Sequence, residues 1–393
     1  MLSVSRVRSP EAGAAILIAA SSGRALADAA RRAGFRPLAV DFFDDLDTRA
    51  VCAANRLIED GLDLGFTEAN LVPALEDLSK DEAPCGFVYG AGFEDRPELL
   101  EVIAERFALL GNSPETLRGV KDPVRLSELC AVLGIPHPKI NMEQPSDPQN
   151  WLVKSAGGAG GSHVAPAGEV REPGEKIYFQ QIAAGAPVSI LFAADGARMQ
   201  LVGLSHQWTA PAPGQPFRFG GSVRPVDLAP GMEHRLRSAA ESITEASGLR
   251  GLNSIDFVVE GDEYALIEIN PRPGATLDIF DDHGGALFRA HLESCCGRLP
   301  SHPLAFSGAA AAAIAYARRE IPSVPEFDWP NWTADRQKAK SHLRAHDPLC
   351  TIKARGIEPS DALALLAERT DWVLGRLEQP QNEITHMRKE AAH

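Results

Sequence analysis

One stretch constrains the fold of this chain more than any other. Two alternating segments, Ser254-Ile255-Asp256-Phe257-Val258-Val259-Glu260 and Tyr264-Ala265-Leu266-Ile267-Glu268-Ile269-Asn270, flank Gly261-Asp262-Glu263. A period-two pattern on both sides of a Gly-Asp turn predicts an antiparallel hairpin. A three-residue loop over 261–263 sets Asp256 opposite Glu268 and gathers Ile255, Phe257, Val259, Ala265, Ile267 and Ile269 on one apolar face. Asp256, Glu268 and Asn270 then share the other face. A two-residue loop would set Asp256 against Ile267 and break that sorting, so the pattern selects the register. Two carboxylates side by side repel, and a hard divalent cation such as Mg²⁺ is the usual remedy. The competing reading is the solvated polar face of a sheet. Arg272 adds a fixed cation where a phosphate or carboxylate would lie.

A second element is Trp151-Leu152-Val153-Lys154 running into Ser155-Ala156-Gly157-Gly158-Ala159-Gly160-Gly161-Ser162. The pattern is a strand that carries a lysine into a loop rich in glycine. Such a loop lets backbone N–H groups approach phosphates closely, although a plain flexible turn has the same composition. No Gly-Lys-Ser/Thr follows, so it is not a P-loop. Lys121 lies in a helical stretch over 113–133 that ends at Gly134-Ile135-Pro136. Gln180-Gln181-Ile182 ends a strand and could present an edge backbone to a base.

Upstream, strand signals over 15–20, 37–42 and 86–89 alternate with helix signals over 25–33, 71–78 and 97–109. This βαβα rhythm implies a parallel sheet, with Gly90-Ala91-Gly92-Phe93-Glu94-Asp95 after a strand, where such sheets bind ligands. The loop lacks the third glycine of a dinucleotide fingerprint, which argues against NAD or FAD. Arg6, Arg8 and the apolar run over 12–20 mimic a signal peptide. Glu11 and the Ser21-Ser22-Gly23-Arg24 interruption favour a buried first strand instead. Downstream, 309–317 reads as a strand, 322–332 as a Pro/Trp-rich loop, 360–377 as a helix and 379–393 as a polar, frayed tail.

Length and charge bound the rest. The 393 residues suffice for two or three lobes. The net charge of −14 argues against nucleic acid and anionic membranes as partners. No apolar run approaches the ~20 residues that span a bilayer. Six cysteines without a Cys-x-x-Cys read as reduced thiols of a cytoplasmic protein.

Taken in order, these features resemble the ATP-grasp superfamily: Lys121 with its following Gly-Ile-Pro, Lys154 before a glycine-rich loop, the Gln-Gln hinge, and Asp256 with Glu268-Ile269-Asn270-Pro271-Arg272. The resemblance spans roughly residues 15–375 and includes Pro348-Leu349-Cys350-Thr351-Ile352 with Ala354-Arg355-Gly356. It implies a mixed α/β and α+β ATP-grasp fold in three parts. These are a Rossmann-like pre-ATP-grasp domain over 1–112, a two-lobed grasp domain over 113–305, and a closing C-terminal region over 306–378. The nucleotide lobes would lie around 150–190 and 191–300.

The resemblance also implies roles. Lys121 and Lys154 would hold the α- and β-phosphates of ATP, with Gly157, Gly158, Gly160, Gly161 and Ser162 folding over them. Gln180, Gln181 and Ile182 would read adenine, mainly through the Ile182 backbone. Asp256, Glu268 and Asn270 would ligate Mg²⁺ (or Mn²⁺), and Arg272 would steady the γ-phosphate and the acid. Arg224 and the His206-Gln207 pair match positions on the acceptor side. The implied activity is an ADP-forming carboxylate–amine ligase that works through an acyl phosphate on small-molecule substrates. The nearest group is the predicted ATP-dependent carboligases, similar to tyramine–glutamate ligase type enzymes of one-carbon cofactor (methanofuran or methanopterin-like) biosynthesis. A homodimer is that family's common habit. Two other readings are a bicarbonate- or ribonucleotide-activating enzyme of the same fold and a nucleotide-binding protein without catalysis.

Overall fold

The computed structural model describes residues 10–168, 176–280 and 284–377. The tail over 379–393 and the basic pair Arg6 and Arg8 lie outside the described residues. Three sheets carry the architecture. The first is parallel, in the order Ala54–Leu57, Arg36–Asp41, Ala15–Ala19, Phe87–Tyr89. Its central strand, Ala-Ile-Leu-Ile-Ala, is buried throughout, as a strand covered on both faces must be. Helices Arg24–Arg32, Glu68–Ser79 and Pro97–Ala104 alternate with these strands, as the rhythm requires.

Three details differ from expectation. A short helix, Leu46–Val51, and the outer strand Ala54–Leu57 gave no sequence signal. That strand holds Asn and Arg and is half exposed, so it lacks both apolar alternation and β-branched residues. The helix expected over 97–109 stops at Ala104, and Leu109 instead bridges to Phe87 and extends the sheet.

The second sheet has eight antiparallel strands. Their order is Glu263–Asn270, Arg250–Glu260, Ala186–Asp195, Met199–Thr209, Phe219–Arg224, Ala309–Tyr316, Pro348–Gly356 and Thr333–Ala334. Strand Ala186–Asp195 shows how it is sandwiched. Val188, Ile190, Phe192 and Ala194 enter one core with Leu236, Ala240 and Ile243 of helix Met232–Ser247. Leu191 and Ala193 enter the other with Leu287, Phe288 and Leu292 of helix Ala286–Cys295 and with Ile16 and Ile18 of the first sheet. The same second core thus glues the parallel domain to the large sheet. Strands after residue 306 continue this sheet, and helix Pro359–Leu377 packs beside them through Ala362, Leu366, Val373 and Leu374.

The third sheet, in the order Ile140–Asn141, Ile177–Gln181, Trp151–Ser155, Val164–Pro166, is small and has a small core of Val153, Ala165, Ala167 and Phe179. Ile177–Gln181 is therefore an interior strand, not the edge expected for Gln180-Gln181. Helices Pro114–Lys121 and Pro123–Leu133 precede this sheet. Asp122 caps the second of them by accepting from the N–H groups of Val124 and Arg125. All six cysteines are free thiols.

Candidate active site

The hairpin reaches the expected register by another route. Asp256 pairs with Glu268 and Ser254 with Asn270. The turn, however, is the two-residue Gly261-Asp262 closed by Glu260 and Glu263, and an irregularity after Asp256 leaves Ile267 as an extra residue. This bulge restores the Asp–Glu pairing that a two-residue loop alone would destroy. It also changes the faces. Leu266 and Ile269 enter the core with Ile255 and Phe257, whereas Ala265 and Ile267 are only partly buried, contrary to the simple alternation. Ile267 is turned to line a cleft.

Asp256 lies at the centre of the polar face. Its Oδ1 accepts from Ser189 Oγ at 2.6 Å and its Oδ2 from Asn270 Nδ2 at 2.9 Å. Gln207 Nε2 stands 3.5 Å from Oδ1. Burial, and then the neighbouring Glu268 charge, push the Asp256 carboxyl up to about 6. Glu268 goes the other way. Burial opposes its charge, but Lys121, through its charge and hydrogen bond, and Lys154 outweigh that and hold it at about 2. Lys121, the last residue of its helix, gives Nζ to Glu268 Oε1 at 2.6 Å.

Across the cleft, strand Trp151–Ser155 presents Lys154. Its side chain is buried, it makes no hydrogen bond or ion pair among the described residues, and burial lowers its pKa. An ammonium in that state is normally compensated. The cleft is lined by Lys121, Lys154, Gly157, Gly158, His163, Tyr178, Ile267 and Glu268, among others. His163 and Tyr178 carried no sequence signal, being single polar residues in a loop and a strand.

The glycine loop is seated on two neighbours. Gly157, Gly160 and Gly161 all have positive φ, at 77°, 69° and 73°. A Cβ on Gly157 would lie 2.6 Å from Asp95 Cα, and one on Gly161 would lie 1.9 Å from the Phe217 carbonyl oxygen. The Gly160 carbonyl accepts from Phe219 N–H at 2.9 Å. The loop therefore bridges the small sheet, the Gly90–Asp95 loop of the parallel domain and the large sheet. Ser162 is exposed on it.

Arg272 is held from the parallel domain. Glu94, buried in the Gly90–Asp95 loop, takes Arg272 Nε at 2.8 Å and accepts the N–H groups of Gly92 and Phe93 on its other oxygen. Arg272 Nη2 donates to Asn270 Oδ1 at 3.2 Å. Glu94 was legible only as a loop position. Its partner lies 178 residues away. Arg272 thus joins the cluster of Asp256, Glu268, Asn270, Lys121 and Lys154.

Other expected residues stand elsewhere or face differently. Arg224 is buried beside Phe280 and Phe306, with donors on the Ile279 carbonyl and, at 3.1 Å, on the Gly308 carbonyl. His206 Nδ1 pairs with the Pro187 carbonyl at 2.9 Å. Gln180 is buried between two strands, and Gln181 N–H donates to Lys139 O at 2.8 Å. The Ile182 N–H is committed to the Asn150 carbonyl at 2.9 Å, so a base contact through this backbone would rest on the Ile182 carbonyl.

Does the donor set fit a cation? Asp256, Glu268 and Asn270 offer three hard oxygen-bearing side chains. No group of three or more His, Cys, Asp or Glu is placed to hold a metal among the described residues. Two carboxylates and an amide suit a divalent ion that arrives with phosphate oxygens of its own rather than one caged by protein alone. Residues 122–276 match the family model described as "ATP-grasp domain". That span takes in Lys154, the glycine loop, the hairpin and Arg272.

Residues 122–276 are an ATP-grasp domain.

The mixed α/β architecture around this domain is the ATP-grasp fold. Over 93% of the chain it superposes on 95% of a biotin carboxylase from Campylobacter jejuni, with a TM-score of 0.66 and 14% identity. An N5-carboxyaminoimidazole synthetase from Staphylococcus aureus complexed with ADP gives a TM-score of 0.67 at 13% identity, covering 92% of this chain and 98% of that one. In sequence, the carbamoyl phosphate synthase large chain of Deinococcus radiodurans is 24% identical over 60% of this chain. The match spans 24% of that protein, about a quarter of its length. No helix among the described residues is long and apolar enough to cross a membrane.

Proposed function

We propose that this chain is an ATP- and Mg²⁺-dependent ligase that joins a carboxylate to an amine and forms ADP. The observation that carries this reading is Lys154, a buried ammonium without a hydrogen-bond or ion-pair partner among the described residues, near Lys121, Glu268 and Asp256 under the ATP-grasp domain's glycine loop. Neither carboxylate is paired with that ammonium, and a polyphosphate oxygen would give it the charged partner it lacks.

Lys121 and Lys154 would bind the phosphates, and the loop from Gly157 to Ser162 would cover them with backbone N–H groups. Asp256, Glu268 and Asn270 would hold Mg²⁺ (or Mn²⁺), which when bound neutralises phosphate charge. Glu268 is ionised at neutral pH and shares Lys121, so it keeps that ammonium aimed into the cleft. Arg272, fixed by Glu94, orients the acid against the terminal phosphate. A carboxylate oxygen forms a bond to the γ-phosphorus as the bond to ADP breaks. The amine nitrogen then bonds to the acyl carbon as phosphate leaves, and the amine proton passes to solvent. The cover of the glycine loop excludes water while the acyl phosphate exists.

In the finer reading, the acid is glutamate and the amine aromatic, in one-carbon cofactor assembly in the cytoplasm, with the protein a homodimer of small-molecule partners only. Residues 1–112 would supply the Rossmann-like domain, 113–305 the grasp and 306–378 the closing region. A second reading is favoured by the names of the relatives: bicarbonate or another small acid as the group activated, as those names suggest for the biotin carboxylase and the carbamoyl phosphate synthase. The fate of the acid's oxygen tests the proposal. A carboxylate with isotopically labelled oxygen should deliver one label to the inorganic phosphate released. Label that stays wholly in the product excludes an acyl phosphate. Transfer from labelled bicarbonate instead establishes the second reading.

A further inference from the structure

His163 ends the glycine loop. Its Nδ1 is buried with no hydrogen-bond partner among the described residues. The ring lines the cleft with Lys121, Lys154 and Glu268. It is seated on bare backbone, because a Cβ on Gly158 would lie 2.2 Å from the ring's Cγ. Gly158 is held in turn by its N–H on the Ser155 carbonyl at 3.2 Å. The loop thus spends a side chain's worth of space on placing an imidazole in a cleft that also holds an unpartnered ammonium.

We propose that His163 is a phosphate-contacting residue, donating its Nδ1–H to an oxygen of the terminal half of a bound nucleoside triphosphate. The inference rests on the nucleotide reading above and deepens it. A buried polar atom left unpaired costs its desolvation, and such atoms are rare unless something else satisfies them. An anion that answers Lys154 answers His163 with the same oxygens. Burial keeps the ring from gaining a second proton; the Glu268 charge opposes this, the charges of Lys121 and Lys154 support it, and the Ala159 backbone opposes it. A neutral imidazole still has one N–H to give. Because the contact is to phosphate and not to base or ribose, its loss should scale with the number of phosphates.

The test is nucleotide binding by the full chain, measured calorimetrically with Mg²⁺ for ATP, ADP and AMP. His163→Ala should weaken ATP roughly 10- to 100-fold, the range of one hydrogen bond to a charged group. AMP affinity should stay within about two-fold, because AMP lacks the distal phosphates. His163→Asn, whose side-chain amide N–H falls near the place of Nδ1, should recover most of the ATP affinity, and His163→Gln should recover less. Equal losses for ATP, ADP and AMP in every variant would mean that the ring only props the loop, and would overturn the inference. Unchanged ATP affinity in His163→Ala would overturn it too, while leaving the parent reading intact. A wild-type chain that binds no nucleotide would overturn both.

Discussion

Gly161 offers the sharpest test of the glycine loop, because the structure supplies its own control. Gly160 and Gly161 share the left-handed backbone, with φ of 69° and 73°. Alanine at either position meets the same conformational penalty, about 1 kcal/mol. Only Gly161 faces a neighbour. A Cβ there would lie 1.9 Å from the Phe217 carbonyl oxygen, against the 3.0 Å below which real Cβ contacts essentially do not occur, whereas Gly160 has nothing within 4 Å. The loop of Gly161→Ala must therefore withdraw by at least about 1.1 Å, the difference of those two distances. A shift of about 1 Å in a positioning element costs on the order of 100-fold in turnover. We expect kcat/KM for ATP to fall about 100-fold in Gly161→Ala and less than about 10-fold in Gly160→Ala, by ADP release. Melting temperatures should stay within a few degrees of wild type, because the loop contributes little to either large core. Equal effects of the two substitutions would refute the claim that seating on Phe217 matters.

Glu268→Gln should abolish ADP formation while leaving the fold intact, with circular dichroism as the control. Full activity would remove the metal-ligand assignment. Asp256 must be ionised to ligate a cation, and its carboxyl stands at about 6. Affinity for Mg²⁺-nucleotide should therefore rise about ten-fold per pH unit up to that value and level off above it; a flat profile contradicts this. Glu94 is held below the usual carboxylate range: burial opposes its charge, but Arg272, Lys121 and the Gly92 N–H prevail. A depressed folded-state pKa contributes stability above the unfolded value of about 4.3 that is lost as pH falls. Glu94→Gln should thus cost about 1.5–3 kcal/mol at neutral pH and lose less on acidification than wild type, by urea unfolding. Phe192→Ala, in the middle of the large sheet, should cost about 3–5 kcal/mol.

What the sequence showed follows the physics of each element. The hairpin, the lysine strand and the parallel rhythm were readable because each couples a local period to a turn signal. Ala309–Tyr316 was read as a strand although five of its first residues are alanine, the best helix former. Its place between Phe219–Arg224 and Pro348–Gly356 in the sheet overrides that propensity. The bulge at Ile267 was not readable, since it arises from pairing with a partner strand and not from Ile267 itself. The true core residue Leu266 was therefore misplaced by one. Glu94 and His163 were invisible for a similar reason: the meaning of Glu94 lies in Arg272, 178 residues away, and that of His163 in a cleft shared with Lys121 and Glu268 from distant segments. The commitment of the Ile182 N–H to Asn150 likewise depends on a contact between strand ends.

The most direct measurement is ADP release by the purified chain with Mg²⁺ and ATP across a matrix of carboxylates, each with and without amines. Glutamate, aromatic amines and bicarbonate should be included. The account predicts ADP and phosphate in equal amounts, appearing in full only where one particular acid and one particular amine are present together. AMP and pyrophosphate as products, or tight ATP binding with no ADP in any combination, would contradict it.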